Sequence, residues 1–444
     1  MVASAASRAA AVRGGNWFGH PRGLTILFLT EMWSEFSFFG MRTMLVYYMT
    51  QQLQISQRHS SLIYGAYLGF AYFTPLIGGI LSDRWLGRRR AVLLGGGLMT
   101  VGHFLMAFEA TFYPALVLIG FGNGIMLPSL SSQINRLYDD SDPRKASAYN
   151  IYYVGINVGG FLAPFACGTV GELFGWQWGF TLAGVGMLVG LVIYITGAPL
   201  LPPEQGEPAR ASQPADDGNS RKLDRSTLLM LAAIVMLVII YRSAYEQVGN
   251  TVALWADHGV NRVVGDWTIP MTWFQALNPL GIFLFTPIIV ARWTRRASKG
   301  KDRTAVAKMA IGAVILASSY LMLSAVSFYA THTGTRASWL WLALFFFAFT
   351  VGELFILPVG LGLFGRIAPE KYAASMIAAW FAAACFGNLG AGALGTLWSA
   401  MLPWQFFIVV AAVAGVAGGL LLALVPWARA VDPGLRAGSA STAS

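Results

Sequence analysis

At 444 residues the chain could hold two or three soluble domains, but residues AVILMFWYC make up 56% of it, there are 50 glycines, and charged residues reach only 11%. A soluble domain carries about 25% charged residues, so the composition excludes one and predicts an all-α integral membrane protein. The apolar runs are long enough for bilayer-spanning helices and too long for the ~10-residue strands of an outer-membrane barrel. The net charge of +10 then needs a membrane explanation rather than a nucleic-acid one.

Residues 1–23 are Ala-rich and basic, with no apolar stretch before a cleavage site. They read as a cytoplasmic tail rather than a signal peptide. Twelve apolar segments follow, at about 24–50, 60–82, 91–110, 113–137, 146–170, 175–198, 227–250, 267–291, 306–329, 337–364, 372–399 and 403–427. The polar stretch 199–226 divides them into six-helix bundles at 24–198 and 227–427, and a low-complexity tail, 428–444, ends the chain. Two six-helix halves around a polar linker is the layout of a major facilitator transporter.

The loops fix the expected orientation. Of the 30 Lys and Arg residues, 25 fall in the tails and in the loops after even-numbered segments. Three (Arg58, Arg262, Arg336) fall on the other side, and Arg42 and Arg242 lie inside segments. The positive-inside rule therefore puts both termini in the cytoplasm, and the basic loops become topology determinants and lipid-headgroup contacts.

Charges inside a bilayer are costly, about 2.5–3.5 kcal/mol each on the insertion scale, and mark functional sites by default. Six lie well within segments: Glu31, Glu35, Arg42, Arg242, Glu246 and Glu353. Glu31 and Glu35 are one turn apart on one helical face, with Ser34 beside them. Two carboxylates at that spacing do not both ionise cheaply in low dielectric, so they share a proton and form a coupling site. The alternative is a single glutamate kept neutral by Ser34 or by the helix backbone. Arg242 and Glu246 are also one turn apart, and either neutralise each other or leave the Arg available to a substrate carboxylate. His103 reads as a packed core residue. Cys167 and Cys385 offer no disulfide or metal framework. No P-loop, nucleophile elbow or metal-ligand spacing occurs, so neither an enzyme nor a bound cofactor is expected.

Several stretches carry a resemblance. GGILSDRWLGRRRAVLLGGGLMTVG (78–102), YNIYYVGINVGGF (149–161), WFQALNP (273–279) and GELFILPVGL (352–361) together resemble the proton-dependent oligopeptide transporter family. EMWSEFSFFGMR (31–42) is similar to that family's first-helix motif E-x-x-E-R-F-x-Y-Y-G-M-R, but Ser34 and Glu35 stand where it has Glu and Arg, and Phe38–Phe39 replace its Tyr pair. Leu127 occupies the place of its fourth-helix Lys. The cationic cluster the family uses near the substrate carboxylate is thus missing, and Arg242 stands where an aromatic is usual.

The resemblance implies a proton-coupled symporter that imports di- and tripeptides as a functional monomer in a bacterial inner membrane, with protons as its coupling ion. It implies Glu353 as the site for the substrate's amino terminus and a further proton-coupling group, and Arg42–Glu246 as a gating ion pair in which Arg242 competes. Asn157 and Asn278 would meet the peptide bond. Tyr72, Gln275 and Trp380 are further cavity candidates, with core packing as the other role for the aromatic ones. Asp83, Arg84 and Gly87 form the cytoplasmic motif. A facilitator for another small substrate, a drug or a small organic or inorganic anion, remains the alternative.

Overall fold

The computed structural model describes residues 15–139, 142–202, 225–367 and 373–431. Of the expected tails and linker, 1–14, 203–224 and 432–444 lie outside the described residues. Twelve long helices are found among those described: α1 Arg22–Tyr47, α2 Gln57–Leu81, α3 Arg88–Leu105, α4 Phe112–Ser131, α5 Arg144–Ala163, α6 Trp176–Gly197, α7 Arg225–Tyr245, α8 Leu277–Ala297, α9 Ala305–Thr333, α10 Trp339–Ile367, α11 Ala373–Gly395 and α12 Pro403–Val431. Among the described residues, ten spans are long and apolar enough to cross a membrane; those of α1 and α3 are not among them. α1 carries Glu31, Glu35 and Arg42, and α3 opens on three consecutive arginines.

Helix ends follow local chemistry. Gly87 (φ 74°) and Gly175 (φ 110°) make the corners before α3 and α6 in backbone that L side chains rarely adopt. Thr304 caps α9, its hydroxyl accepting from the Ala307 amide at 3.1 Å. Two expected boundaries shift. The fifth segment continues past Pro164 through a π-helical turn to Phe174, where Gly175 stops it. The eighth, expected from 267, begins as a 3-10 helix at Met271 and becomes α-helical at Leu277. Pro270 has no N–H to continue a ladder, and Trp267–Thr268 pair with Val263–Val264 as a short hairpin instead.

The chain forms two units. Unit 1 comprises Met1–Leu53 and Phe70–Ala211; unit 2 comprises Gln54–Gly69 and Ser212–Ser444. In unit 1, Leu24, Leu27, Val92, Met99, Met126, Leu130, Met187 and Tyr194 form a buried core. α3 and α4 cross at glycines: a Cβ on Gly95 would sit 2.6 Å from the Gly122 carbonyl oxygen, and one on Gly122 would sit 2.7 Å from Met99 Cγ. Such small-residue crossings let backbones touch where lipid gives helices no hydrophobic reason to associate.

Unit 2 has a more aromatic interior. Tyr245 stacks on Phe349 with ring centroids 4.7 Å apart, and Tyr320 packs edge-on to Phe345 at 5.1 Å. The first turns of α2 belong here: Gln57 Nε2 donates to the Gly395 carbonyl at 2.9 Å, and Ser61 Oγ to Asn250 Oδ1 at 3.0 Å. Outward-facing Met236, Ile288, Leu321 and Leu344 are about half exposed or more, as lipid-facing residues are.

Candidate functional site

In unit 1 the candidate groups sit on α1 and on the helices packed against it. Glu31 is buried, 1% exposed, and its Oε1 has no hydrogen-bond partner among the described residues. Glu35, half-buried one turn on, is close enough to act electrostatically on Glu31, and Arg42 acts likewise on Glu35. The Tyr152 hydroxyl of α5 approaches Glu31 without closing a bond of good geometry. Ser34 turns to Met126 Sδ, 3.9 Å away, rather than to either carboxylate. The hydrogen bond that would hold one glutamate inert through Ser34 is therefore not formed. Arg42 also lies 5.8 Å from the Phe39 ring centroid.

Asn157, buried on α5, donates Nδ2 to the Tyr153 carbonyl at 2.9 Å. One amide hydrogen is thus spent on its own helix, and the second hydrogen and the carbonyl oxygen remain for other use. Tyr72 is half-buried on α2. At the corner after α2, Asp83 and Arg84 are exposed, Gly87 supplies the positive φ, and Arg88 reaches the Ser132 carbonyl at 3.4 Å.

In unit 2 the carboxylates are held differently. Glu353 of α10 accepts from Asn278 Nδ2 of α8, and the Tyr245 hydroxyl of α7 gives it a second bond. Asn278 Nδ2 also bonds Thr350 Oγ1 at 3.1 Å, and Thr350 in turn donates to the Phe346 carbonyl at 2.7 Å. Arg242 and Glu246, 4% and 0% exposed, pair at 3.1 Å from NH2 to Oε1. The Arg242 guanidinium carbon lies 5.8 Å from the Tyr245 ring centroid. Both members of the pair act electrostatically on Glu353, so this end of unit 2 holds two carboxylates and one cation around Tyr245.

Three residues thus join the site that sequence reasoning passed over: Thr350, Tyr245 and Tyr152. Thr350 stands three residues before Glu353 and Tyr245 three after Arg242. Helical spacing from the charged residues would have found both. Tyr152 has no such signal. Gln275 is half-buried in the turn before α8. Trp380 is 8% exposed, against Phe364 at 5.5 Å, with Gly360 leaving the room its ring fills. Its place is the core of unit 2. The expected gating pair has one member in each unit; within its own unit Glu246 is held by Arg242, and Arg42 neighbours Glu35 and Phe39.

Chemically, a half-buried carboxylate oriented by two neutral donors is a preformed acceptor for an ammonium. A pair of same-face carboxylates with an unpartnered oxygen is a place for a proton.

Known proteins share this framework. Residues 89–213 and 217–403 match the sequence model of the POT family. The chain is 30% identical to the peptide transporter YePEPT of Yersinia enterocolitica, over 94% of this chain and 97% of that protein. It is 29% identical to a di-/tripeptide transporter of Lactococcus lactis subsp. cremoris, over 91% and 95%. It is similar to the crystal structure of a peptide transporter, POT, in complex with sulfate, with TM-score 0.86 and 27% identity over 96% and 99% of the two chains.

Proposed function

This chain belongs to the POT family and is a multi-pass membrane transporter of the major facilitator fold, not an enzyme, and from that premise we propose that it imports di- and tripeptides together with protons. The observation that carries the reading is the Glu353 carboxylate, oriented by Asn278 and Tyr245. A peptide's ammonium brings the charge that this acceptor lacks, and a charge-assisted hydrogen bond contributes about 1.5–3 kcal/mol.

The Glu31–Glu35 pair takes the coupling proton. In an empty bilayer site the two carboxylates repel, and one proton between them relieves that repulsion. Moving one charge down ~100 mV supplies about 2.3 kcal/mol, roughly fifty-fold accumulation, before any pH gradient is added. Asn157 keeps donor and acceptor capacity for a peptide bond. The protein works as a monomer in a bacterial inner membrane, two six-helix halves alternating access with both termini in the cytoplasm, as the distribution of Lys and Arg favours.

The test is uptake into proteoliposomes under an imposed proton gradient. Saturable uptake of a labelled dipeptide, competed by other dipeptides and not by free amino acids, is expected. Uptake that ignores dipeptides but follows a small anion or a drug would replace this substrate reading with the broader one.

A further inference from the structure

Away from the buried carboxylates, unit 2 has a cavity of about 420 Å³ among the ends of α8, α9 and α10. That volume falls within the ~300–1,000 Å³ range of small-molecule sites. Among the described residues, Arg303, Lys308 and Arg366 line it, with one carboxylate, Asp302. Lys308 is fixed rather than waving: its ammonium bonds Asp302 Oδ2 at 2.9 Å and lies 4.6 Å from the Trp293 ring centroid. An ammonium has three donors, so one bond to Asp302 does not exhaust it.

The cavity also faces the start of a helix. Thr304 and Ala305, at the beginning of the 29-residue α9, are in its wall. Ala307 N bonds Thr304 Oγ1 and Lys308 N bonds the Thr304 carbonyl. The Ala305 and Val306 amides precede the first acceptor the helix can offer them. The positive end of the helix dipole adds to the three cations. Part of the wall is apolar, with Pro358, Val359 and Leu363 of α10. Gly362 leaves space there, since a Cβ at that position would meet nothing within 4 Å.

We propose that this cavity binds a phosphate group, its charge against Arg303, Lys308, Arg366 and the start of α9, with the apolar wall beside it. A lipid headgroup and free phosphate share that chemistry. The apolar wall favours the lipid, whose acyl chains would run along α10 past Gly362. Basic pockets between spanning helices take anionic headgroups in this way.

The experiment measures binding of a tail-labelled phosphatidylglycerol to the whole purified protein in neutral detergent. Saturable binding is expected, weakened about tenfold by Arg303→Gln with Arg366→Gln, both exposed and outside the packed core. Arg295→Gln with Arg296→Gln, in the last turn of α8 and not lining the cavity, should leave binding unchanged. Lys308→Arg should retain binding where Lys308→Gln loses it, which separates loss of charge from loss of fold. Displacement by millimolar inorganic phosphate would support the site and identify free phosphate as its occupant; displacement only by other anionic lipids supports the site and identifies the headgroup. Wild-type binding by the Arg303/Arg366 variant, or equal loss in the Arg295/Arg296 control, overturns the proposal.

Discussion

The buried carboxylates of the two units are held in opposite ways. In unit 2, Glu353 and Glu246 each have a named partner: Asn278 and Tyr245 for the first, Arg242 for the second. In unit 1, Glu31 keeps an oxygen without a partner, and its strongest charged neighbour is another acid, Glu35. A carboxylate held by two donors is oriented to receive a cation. An unsatisfied one beside a like charge changes protonation at least cost. The function proposed above puts binding in unit 2 and proton exchange in unit 1, and this division can be broken experimentally.

The largest effect expected is on unit 1. Glu31→Gln or Glu35→Gln should abolish gradient-driven accumulation while leaving counterflow exchange of dipeptide largely intact in proteoliposomes. If both single variants accumulate peptide as wild type does, the contrast between the units fails. Arg242→Leu comes next, since it strands Glu246 in a buried site. Breaking a buried ion pair costs about 3–5 kcal/mol, readable as a loss of thermal stability in detergent. Adding Glu246→Gln should restore most of that loss; a double variant no better than the single one would show that Arg242 stabilises the fold through something other than Glu246.

Glu353→Gln is expected to weaken competition by unmodified dipeptides about ten- to hundred-fold and by N-acetylated dipeptides far less. Equal losses would make Glu353 a scaffold residue and erase the assignment of binding to unit 2. The smallest effect concerns the segment before α1. His20 is buried between Tyr138, at 2.7 Å, and Ser147, at 3.3 Å. Burial and the neighbouring Arg144 lower its pKa from the ordinary 6.5, with Asp142 opposing. The neutral ring is the one that fits, so this contribution is present above pH 6.5 and is lost as pH falls below it. Protection of residues 15–21 against hydrogen exchange, taken relative to the intrinsic rate at each pH, should fall between about pH 7 and about pH 5, and His20→Phe should flatten that dependence.

The sequence made visible what one helix can show by itself. Arg242 and Glu246 pair because four residues bring side chains to one face, and Glu31 and Glu35 share a face for the same reason. The long apolar segments were legible because a bilayer imposes length and apolarity together. The bond from Asn278 to Glu353 spans 75 residues of chain and depends on how α8 packs on α10, which no local spacing encodes; Glu353 stood out as a charge in an apolar segment, but only the family resemblance brought Asn278 to notice. Trp380 shows the converse. A large aromatic near a candidate site suits a cavity wall or a core on paper, and only the structure shows its ring filling the room beside Gly360. Arg42 and Glu246, matched as a pair by resemblance, each have neighbours in their own unit that a motif comparison does not register.

The touching backbones of α3 and α4 bear on how this protein tolerates change. At Gly95 and Gly122 even one methyl group would collide with main-chain or packed atoms, whereas at Gly97 and Gly419 it would meet nothing within 4 Å. Glycines that look alike in the sequence thus divide into hinges of tolerance and points of refusal. A cysteine for a spin label or fluorophore belongs at Gly97 or Gly419, where the reporter reads the protein without prying apart the crossing it is meant to watch.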